Sequence, residues 1–357
     1  MRKEIYRMPE AEALALLARA PAVHLAGVTE DGRPVLRSLH GVLVDGAVAF
    51  HGAPAGEKLD IVGRPAVVSY EEVLCEVPSY FIDPVRACPA TTYYRSVQVH
   101  GTVERVKDPA ARARVLAALM ARFQPEGGHV PITAEEPLYR KALEGLLVAR
   151  VPLERVDGKL KLGQNRGPEE LTRVVRGLWE RGAPGDVAAL EAVLAVNPAV
   201  PRPGLFLGPD GTRLLPAPSE AHLGPALALL KDAYWNQGVP EAVLRRAHLH
   251  SDAWVVAVDE SGTLVATARA VSDRAKVAWL YDVMVHPSWR GRALGEAVMK
   301  LLLDHPAVRG VTTVRLQTVD AVGFYERLGF RPGNGPKRPW TRVDMTLSRA
   351  EAITPTC

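Results

Sequence analysis

The stretch "VMVHPSWRGRALGEAVMKLL", Val283 to Leu302, decides how the second half of the chain is read. A strand-like run ends at His286-Pro287, and a helix follows. Leu294, Ala297, Val298, Leu301 and Leu302 recur at the spacing of one helical face. The turn "RGRALG" therefore lies at the helix N-terminus, where backbone N–H groups lack intrahelical partners and the macrodipole is positive. A pyrophosphate suits that end, with Arg290 and Arg292 adding charge. A plain solvated helix start fits the residues equally well. Ala293 stands where a phosphate loop would show glycine. Its place in the first helical turn predicts a negative φ, for which alanine is well suited. The cradle is therefore expected to tolerate Ala293.

Working outward, helix 219–235 precedes strands 253–258 and 263–271. Strand 277–285 leads into helix 292–304. Strand 311–319 leads into helix 321–329, and strand 340–347 closes. These are strand-turn-helix units of an α/β layer. Residues 197–225, "NPAVPRPGLFLGPDGTRLLPAPSEAHLGP", are too rich in Pro and Gly for a helix or central strand. They place a boundary near residue 205, giving domains 1–200 and 213–357 with a linker at 201–212.

The first half has a different grammar. A helix at about 8–20 is followed by the short runs "AVHLAGVT", "PVLRSLHGVLV", "AVAFHG", "AVVSYEEV" and "YRSVQVHGTVERV". Asp31-Gly32 and Asp45-Gly46 sit between such runs as tight hairpin turns do. Helices follow at about 108–123 and 137–145, then the strand run "LLVARVPLERVDGKLKL" and helices 168–181 and 185–195. Many short antiparallel strands suggest a small barrel. The whole is expected to be a two-domain α+β protein.

Composition sets bounds on function. The 357 residues are 47% hydrophobic and 24% charged, ordinary values for a globular protein. No apolar run approaches the roughly 20 residues of a membrane span, and the N-terminus lacks the pattern of a signal peptide. A cytoplasmic location without membrane contact is expected. The net charge of +4 and pI near 9.0 are spread along the chain, which favours small anionic ligands over nucleic acid. Cys75, Cys88 and Cys357 are too few for a disulfide framework or a zinc site, leaving only a Cys75–Cys88 bridge to consider.

"VMVHPSWRGRALG", followed about 30 residues later by "TVDAVGFYERLGF", resembles the GNAT acetyltransferase superfamily over about residues 212–348. The family fingerprint Arg/Gln-x-x-Gly-x-Gly/Ala reads here Arg290, Gly291, Arg292, Ala293, Leu294, Gly295. The resemblance implies an α/β fold with a mixed central sheet and acetyl-CoA as cosubstrate. The pyrophosphate would sit on the amides of Arg290 to Gly295, and pantetheine would pair with the backbone of Met284 and Val285. Phe324 would pack beside it, and Tyr325 would protonate the departing thiolate. Thr318 stands where many members carry Asn. The acceptor amine must lose a proton. Asp282 is the candidate base, although a carboxylate at a sheet rim can equally be held by structural partners. Trp235, Asn236 and Trp279 are candidates for the acceptor pocket, or for the core.

"GRPVLRSLHGVLVDGAVAFHGAPAGEKLDIVGRPAVVSYEEV", "TTYYRSVQVHGTVERVKDP" and "KLKLGQNRG" resemble the pyridoxamine-phosphate-oxidase-like FMN-binding split barrel, nearest its Nim-type nitroimidazole-resistance branch. The resemblance covers about residues 1–195. It implies FMN contacts from Arg37, Ser38, Leu39, His51, Gly52, Lys58 and Ser96, with Gln164 and Arg166 closing the site. It also implies a homodimer and a small electron acceptor. On the residues alone, adjacent antiparallel strands are expected to bring Arg37 and Ser38 together with Lys58, Arg95 and Ser96 as a phosphate cradle. Gly41 stands where the oxidase has a phosphate-binding lysine, which argues against pyridoxamine-phosphate oxidation. The fusion suggests a bifunctional protein that reduces a small compound and acetylates an amine. The alternative is a flavin- or haem-binding regulatory barrel attached to an acetyltransferase.

Overall fold

The structure is a computed structural model and describes residues 4–333 and 343–349. The chain forms two compact units. One comprises Met1–Leu74 and Thr92–Asn165, the other Cys75–Thr91 and Arg166–Cys357.

The first unit is built on two antiparallel sheets. Strands β1 (Arg7–Met8), β2 (Val23–Val28), β3 (Pro34–Leu39), β4 (Val42–Val44), β5 (Ala47–Gly52), β6 (Pro65–Val77), β7 (Thr91–Thr102), β8 (Glu104–Arg105), β9 (Leu147–Pro152) and β10 (Arg155–Lys161) supply them. Six strands run in the order β1-β10-β7-β6-β2-β3, and four in the order β4-β5-β9-β8. The expected Asp45-Gly46 hairpin joins β4 to β5. Both residues have positive φ, +50° and +67°, the requirement of a type I′ turn. Alternation along the strands buries Val23, Leu25, Phe50, Val68, Val97 and Leu147 in a shared core. Helices α1 (Glu10–Ala18), α2 (Pro109–Phe123) and α3 (Arg140–Gly145) complete the unit.

The second unit contains α4 (Pro168–Arg181) and α5 (Asp186–Val196) ahead of one seven-stranded sheet. Helix α4 therefore groups with the later sheet, although Pro/Gly density had suggested a boundary near 205. Trp179 on α4 gives the physical reason: its indole N–H donates to Asp304 (2.9 Å), and its ring meets Phe206 edge-on. The sheet runs β11 (Arg213–Leu215), β12 (Ala253–Val258), β13 (Leu264–Ser272), β14 (Val277–Val285), β15 (Thr313–Thr318), β17 (Val343–Ser348), β16 (Arg331–Pro332). Among the described strands of this sheet, only β14 and β15 pair in parallel.

The expected helix 219–235 is shorter. It is α6 (Leu223–Leu230), bracketed by the single turns Glu220–His222 and Tyr234–Asn236. A further helix, α7 (Glu241–Leu249), follows Pro240 and was not expected. The helix after the opening stretch is α8 (Leu294–Asp304), and the one carrying Tyr325 is α9 (Val322–Arg327). The expected strand 340–347 is seen from Val343; positions 340–342 lie outside the described residues. Cys75 and Cys88 are free, so the bridge considered above is absent, and Cys357 lies outside the described residues. Among the described residues no helix is long and apolar enough to cross a membrane, and no His/Cys/Asp/Glu cluster could hold a metal.

Beside α8 lies a buried histidine with a consequence for acid stability. The Nδ1 of His305 accepts the Ala307 N–H (3.1 Å). Burial, followed by Arg274 and Arg309, pushes its pKa down to about 4. An unfolded histidine titrates near 6.5. Between those values the unfolded chain binds a proton that the folded chain refuses, so stability falls as pH falls through that window and is fully present above it. The loss by pH 4 should approach about 3 kcal/mol at ~1.36 kcal/mol per pH unit. Urea unfolding at pH 7 and pH 4.5 checks this, and His305→Gln should flatten the difference.

Candidate active site: a cleft where two parallel strands part

Strands β14 and β15 pair only from Val277–Trp279 to Thr313–Arg315. Both run on beyond that point, β14 to Val285 and β15 to Thr318. Where pairing stops, a cavity of about 1310 Å³ opens, lined by Trp235, Trp279, Asp282, Arg290, Gly295 and Tyr325 among others. Beyond Trp279 the β14 backbone has no partner on this side among the described strands, while Met284 and Val285 pair with Thr267 and Ala266 of β13 on the other.

One end of the cavity is an anion cradle. The backbone N–H groups of Gly291 through Glu296 have no acceptor among the described residues; the first paired one is Ala297, bonded to the Ala293 carbonyl at 3.1 Å. Gly291 and Ala293 are both left-handed, with φ of +76° and +60°, and such alternation turns successive amides into a concave nest. This corrects the negative φ expected at Ala293. The residue caps α8 from outside the helix, with Leu294 as the first helical position. Alanine here carries strain, and a fingerprint glycine would relieve it. A left-handed non-glycine residue costs about 1–2 kcal/mol, and the freedom of glycine in the unfolded chain returns about 0.4–1 kcal/mol of that. Ala293→Gly should therefore stabilise the protein by about 0.5–1 kcal/mol in urea unfolding and hold or tighten CoA affinity. Arg290 folds back, with Nε 3.3 Å from the Val285 carbonyl, while Arg292 stacks over Trp289 (5.1 Å) and reaches Asp210 (3.5 Å). A methyl group on Gly295 would touch Phe324 and Val285 at 3.5 Å, so Phe324 lies against the start of α8.

Tyr325 is 7% exposed, with its ring edge-on to Phe324 and Phe330. Burial, then Tyr234 and Asp320, holds its phenol above the ordinary tyrosine range, so it stays protonated. The Thr318 hydroxyl accepts the Ala321 N–H (3.1 Å) and fastens the turn that launches α9. It thus anchors the element carrying Tyr325.

Asp282, the expected base, is buried and already bonded. Its Oδ1 accepts from the indole of Trp235 (2.9 Å) and the amide of Asn236 (3.2 Å), and its Oδ2 from Arg269 Nε (2.6 Å). Both carboxylate oxygens are thus engaged by side-chain donors. Arg269 had a sequence signal, as a lone charge inside the apolar run "VATARAVS". His248, whose Nε2 is 4.0 Å from Asp282 Oδ2, had none, because its helix was not anticipated.

The first unit brings together part of the expected phosphate cradle. Arg37 pairs with Glu57, whose other oxygen takes Arg33 (3.1 Å). A side chain on Gly52 would collide with Lys58, so the ammonium lies across the end of β5. Burial, then His40 and Lys58, lowers the His51 pKa. The Ser38 hydroxyl bonds His24 Nδ1 (3.1 Å), and Leu39 packs on the core. Ser96 does not join them. Strand β7 is three places from β3, about 14 Å at normal strand spacing, so the adjacency expected of Arg37 with Arg95 and Ser96 is not found. Arg95 instead lies 3.7 Å from Glu72. Gln164 folds onto its own turn, bonding Leu162 N and Leu160 O (2.7 Å each), and Arg166 pairs with Glu170 (3.4 Å).

Residues 9–160 match the pyridoxamine 5'-phosphate oxidase family model, and residues 224–330 match that of the acetyltransferase (GNAT) family. The chain is a fusion of a pyridoxamine 5'-phosphate oxidase-like domain with a GNAT N-acetyltransferase domain. Serotonin N-acetyltransferase 2, chloroplastic, of Oryza sativa subsp. japonica is 39% identical over 108 residues, covering 28% of this chain and 54% of the relative. The chain spans about half the length of the curated relatives it matches. A GNAT-family structure from Xanthomonas campestris pv. campestris is 31% identical, covering 37% of this chain and 96% of that one (TM-score 0.32). A candidate 5-nitroimidazole antibiotic resistance protein from Bacteroides thetaiotaomicron is 15% identical, covering 43% of this chain and 85% of that one (TM-score 0.35).

Proposed function

We propose that the second unit transfers the acetyl group of acetyl-CoA to the primary amine of a small molecule with an aromatic body. The cavity between β14 and β15 carries this reading, with its unpaired amides at one end, the Tyr325 phenol, and the aromatic walls of Trp235, Trp279 and Tyr281. The pyrophosphate binds the Gly291–Glu296 amides, and pantetheine lies along β14 at Met284 and Val285, taking the place of Arg290 at the Val285 carbonyl. The amine nitrogen attacks the thioester carbonyl, the C–S bond breaks, and Tyr325 gives its proton to the departing sulfur. The nitrogen loses a proton, which returns to Tyr325 through solvent. Asp232 and Asp320, exposed carboxylates on the cavity lining, attract the ammonium form and accept that proton in place of Asp282. The rice relative's name, a serotonin N-acetyltransferase, supports an arylalkylamine acceptor. Acetyl-CoA with tryptamine should release free thiol and N-acetyltryptamine, detected by mass spectrometry. No product across a panel of arylalkylamines would sink the reading.

The first unit is read as a flavin-binding barrel. The clustered guanidinium groups of Arg33 and Arg37, and the ammonium of Lys58 over the bare Gly52, fit a phosphate that displaces Glu57. Bound FMN supplies hydride-transfer chemistry to a small electron acceptor. Arg37 and Lys58 would hold its phosphate, and His51, Gly52 and Leu39 would border it. Flavin fluorescence titration should show FMN binding that weakens at least tenfold in Lys58→Ala, about 1.4 kcal/mol. Leu36 and Val73, each 61% exposed on β3 and β6, support pairing with a second copy, which sedimentation would test.

A further inference from the structure

Strand β14 contains a buried aspartate in a conformation aspartate seldom adopts. Asp282 has φ +52° and is 6% exposed. Thr267 pairs with Met284 and Arg269 with Tyr281, so Asp282 and Val283 together oppose the single residue Ala268. That is a β-bulge, and left-handed backbone at such a place persists only when its surroundings over-determine it. The surroundings here are the donors on its carboxylate. Arg269 comes from the neighbouring strand, whereas Trp235 and Asn236 come from the isolated turn Tyr234–Asn236. Asp282 is therefore the tie between that turn and the bulge.

The turn forms a wall of the reaction cavity, because Tyr234, Trp235 and Asp282 all line it. Trp279 lines it too, six residues before Val285 and so about 20 Å back along the strand from the cradle end. This is the end left for the acceptor. The charge on Asp282 has one close cation, Arg269 at 2.6 Å. His248 adds none. Its Nδ1 bonds the Leu244 carbonyl (2.9 Å), burial lowers its pKa, and its Nε2, 4.0 Å from Asp282 Oδ2, makes no hydrogen bond among the described residues.

We propose that Asp282 is a positioning residue. With Arg269 as permanent counter-charge, it pins the indole of Trp235 as the wall of the acceptor pocket, and it does not take the proton of the amine. The proposal rests on the acetyl-transfer reading. Trp235→Phe keeps the ring and removes only the N–H. With tryptamine as probe, its amine KM should rise about 10–100-fold, the worth of one hydrogen bond to a charged group, with kcat and the acetyl-CoA KM within about twofold. Asp282→Asn keeps an acceptor oxygen and tolerates positive φ. Its kcat should fall less than about tenfold, and the acid limb of its pH–rate profile should remain. An unchanged amine KM in Trp235→Phe overturns the proposal. So does a loss of about 10³-fold in kcat with disappearance of the acid limb in Asp282→Asn, the signature of a general base. A double-mutant cycle of Trp235→Phe with Asp282→Ala, read by urea unfolding, measures the tie without turnover. Non-additive effects support the pin, and additive ones overturn it. If the wild-type enzyme turns over no amine, the acetyl-transfer reading fails, while the cycle still decides the pin.

Discussion

Tyr325→Phe should lower kcat for acetyl transfer by about 10²–10⁴-fold, the usual contribution of a positioned general acid. The acetyl-CoA KM should stay nearly constant, because the cradle at Gly291–Glu296 lies on a different element from α9. The reason lies in burial. At 7% exposure the phenol gains nothing by ionising, and its pKa is raised by burial first and by Tyr234 and Asp320 next. The acid therefore stays protonated at every pH where the enzyme would be assayed, and a basic limb below pH 10 belongs to another group. Phenylalanine keeps the edge-on contacts with Phe324 and Phe330, so the fold should survive. Without the phenol the thiolate must leave unprotonated or take its proton from water, so the deficit should be largest at low pH and narrow as pH rises towards the thiol's range. Stopped-flow or thiol-release kinetics from pH 6 to 9.5 measures both effects. An unchanged kcat across that range would remove Tyr325 from the chemistry.

Arg269→Met should destabilise the protein by about 3–5 kcal/mol. The side chains of Arg269 and Asp282 are 11% and 3% exposed and meet at 2.6 Å, so each neutralises a charge that water cannot reach. Methionine fills similar volume but leaves the carboxylate without its counter-charge. A buried charge left without its partner sets the size of the deficit. Chemical denaturation of wild type and variant at pH 7 measures it. A deficit under 1 kcal/mol at pH 7 would mean that the pair is solvated.

Much of this site could be read along the chain because its signals are local. The helical spacing from Leu294 to Leu302 locates α8, and the run ending at His286-Pro287 locates β14, within a residue or two. The interval between the RGRALG turn and Tyr325 is likewise a one-dimensional pattern. The Ala293 backbone departs from the helical spacing for a specific reason. Periodicity marks where a helix starts only to within about two residues, and here one residue decides between a helical and a left-handed φ. In the barrel unit, Arg37 and Lys58 lie near each other along the chain and converge through Glu57. Ser96 is far along the chain, and strand order, which no local pattern encodes, keeps it away.

By itself the sequence determined the two families, the elements that carry the cradle and Tyr325, and the hairpin at Asp45-Gly46. Each rests on propensity, spacing or turn chemistry within a few tens of residues. Only the tertiary structure decided what Asp282 is bonded to. Trp235, Asn236, Arg269 and Asp282 span 47 residues from a turn and two strands, and their bonds form when the sheet register closes. Whether a buried carboxylate is free to take a proton depends on how many donors reach it, and the donors are set by packing.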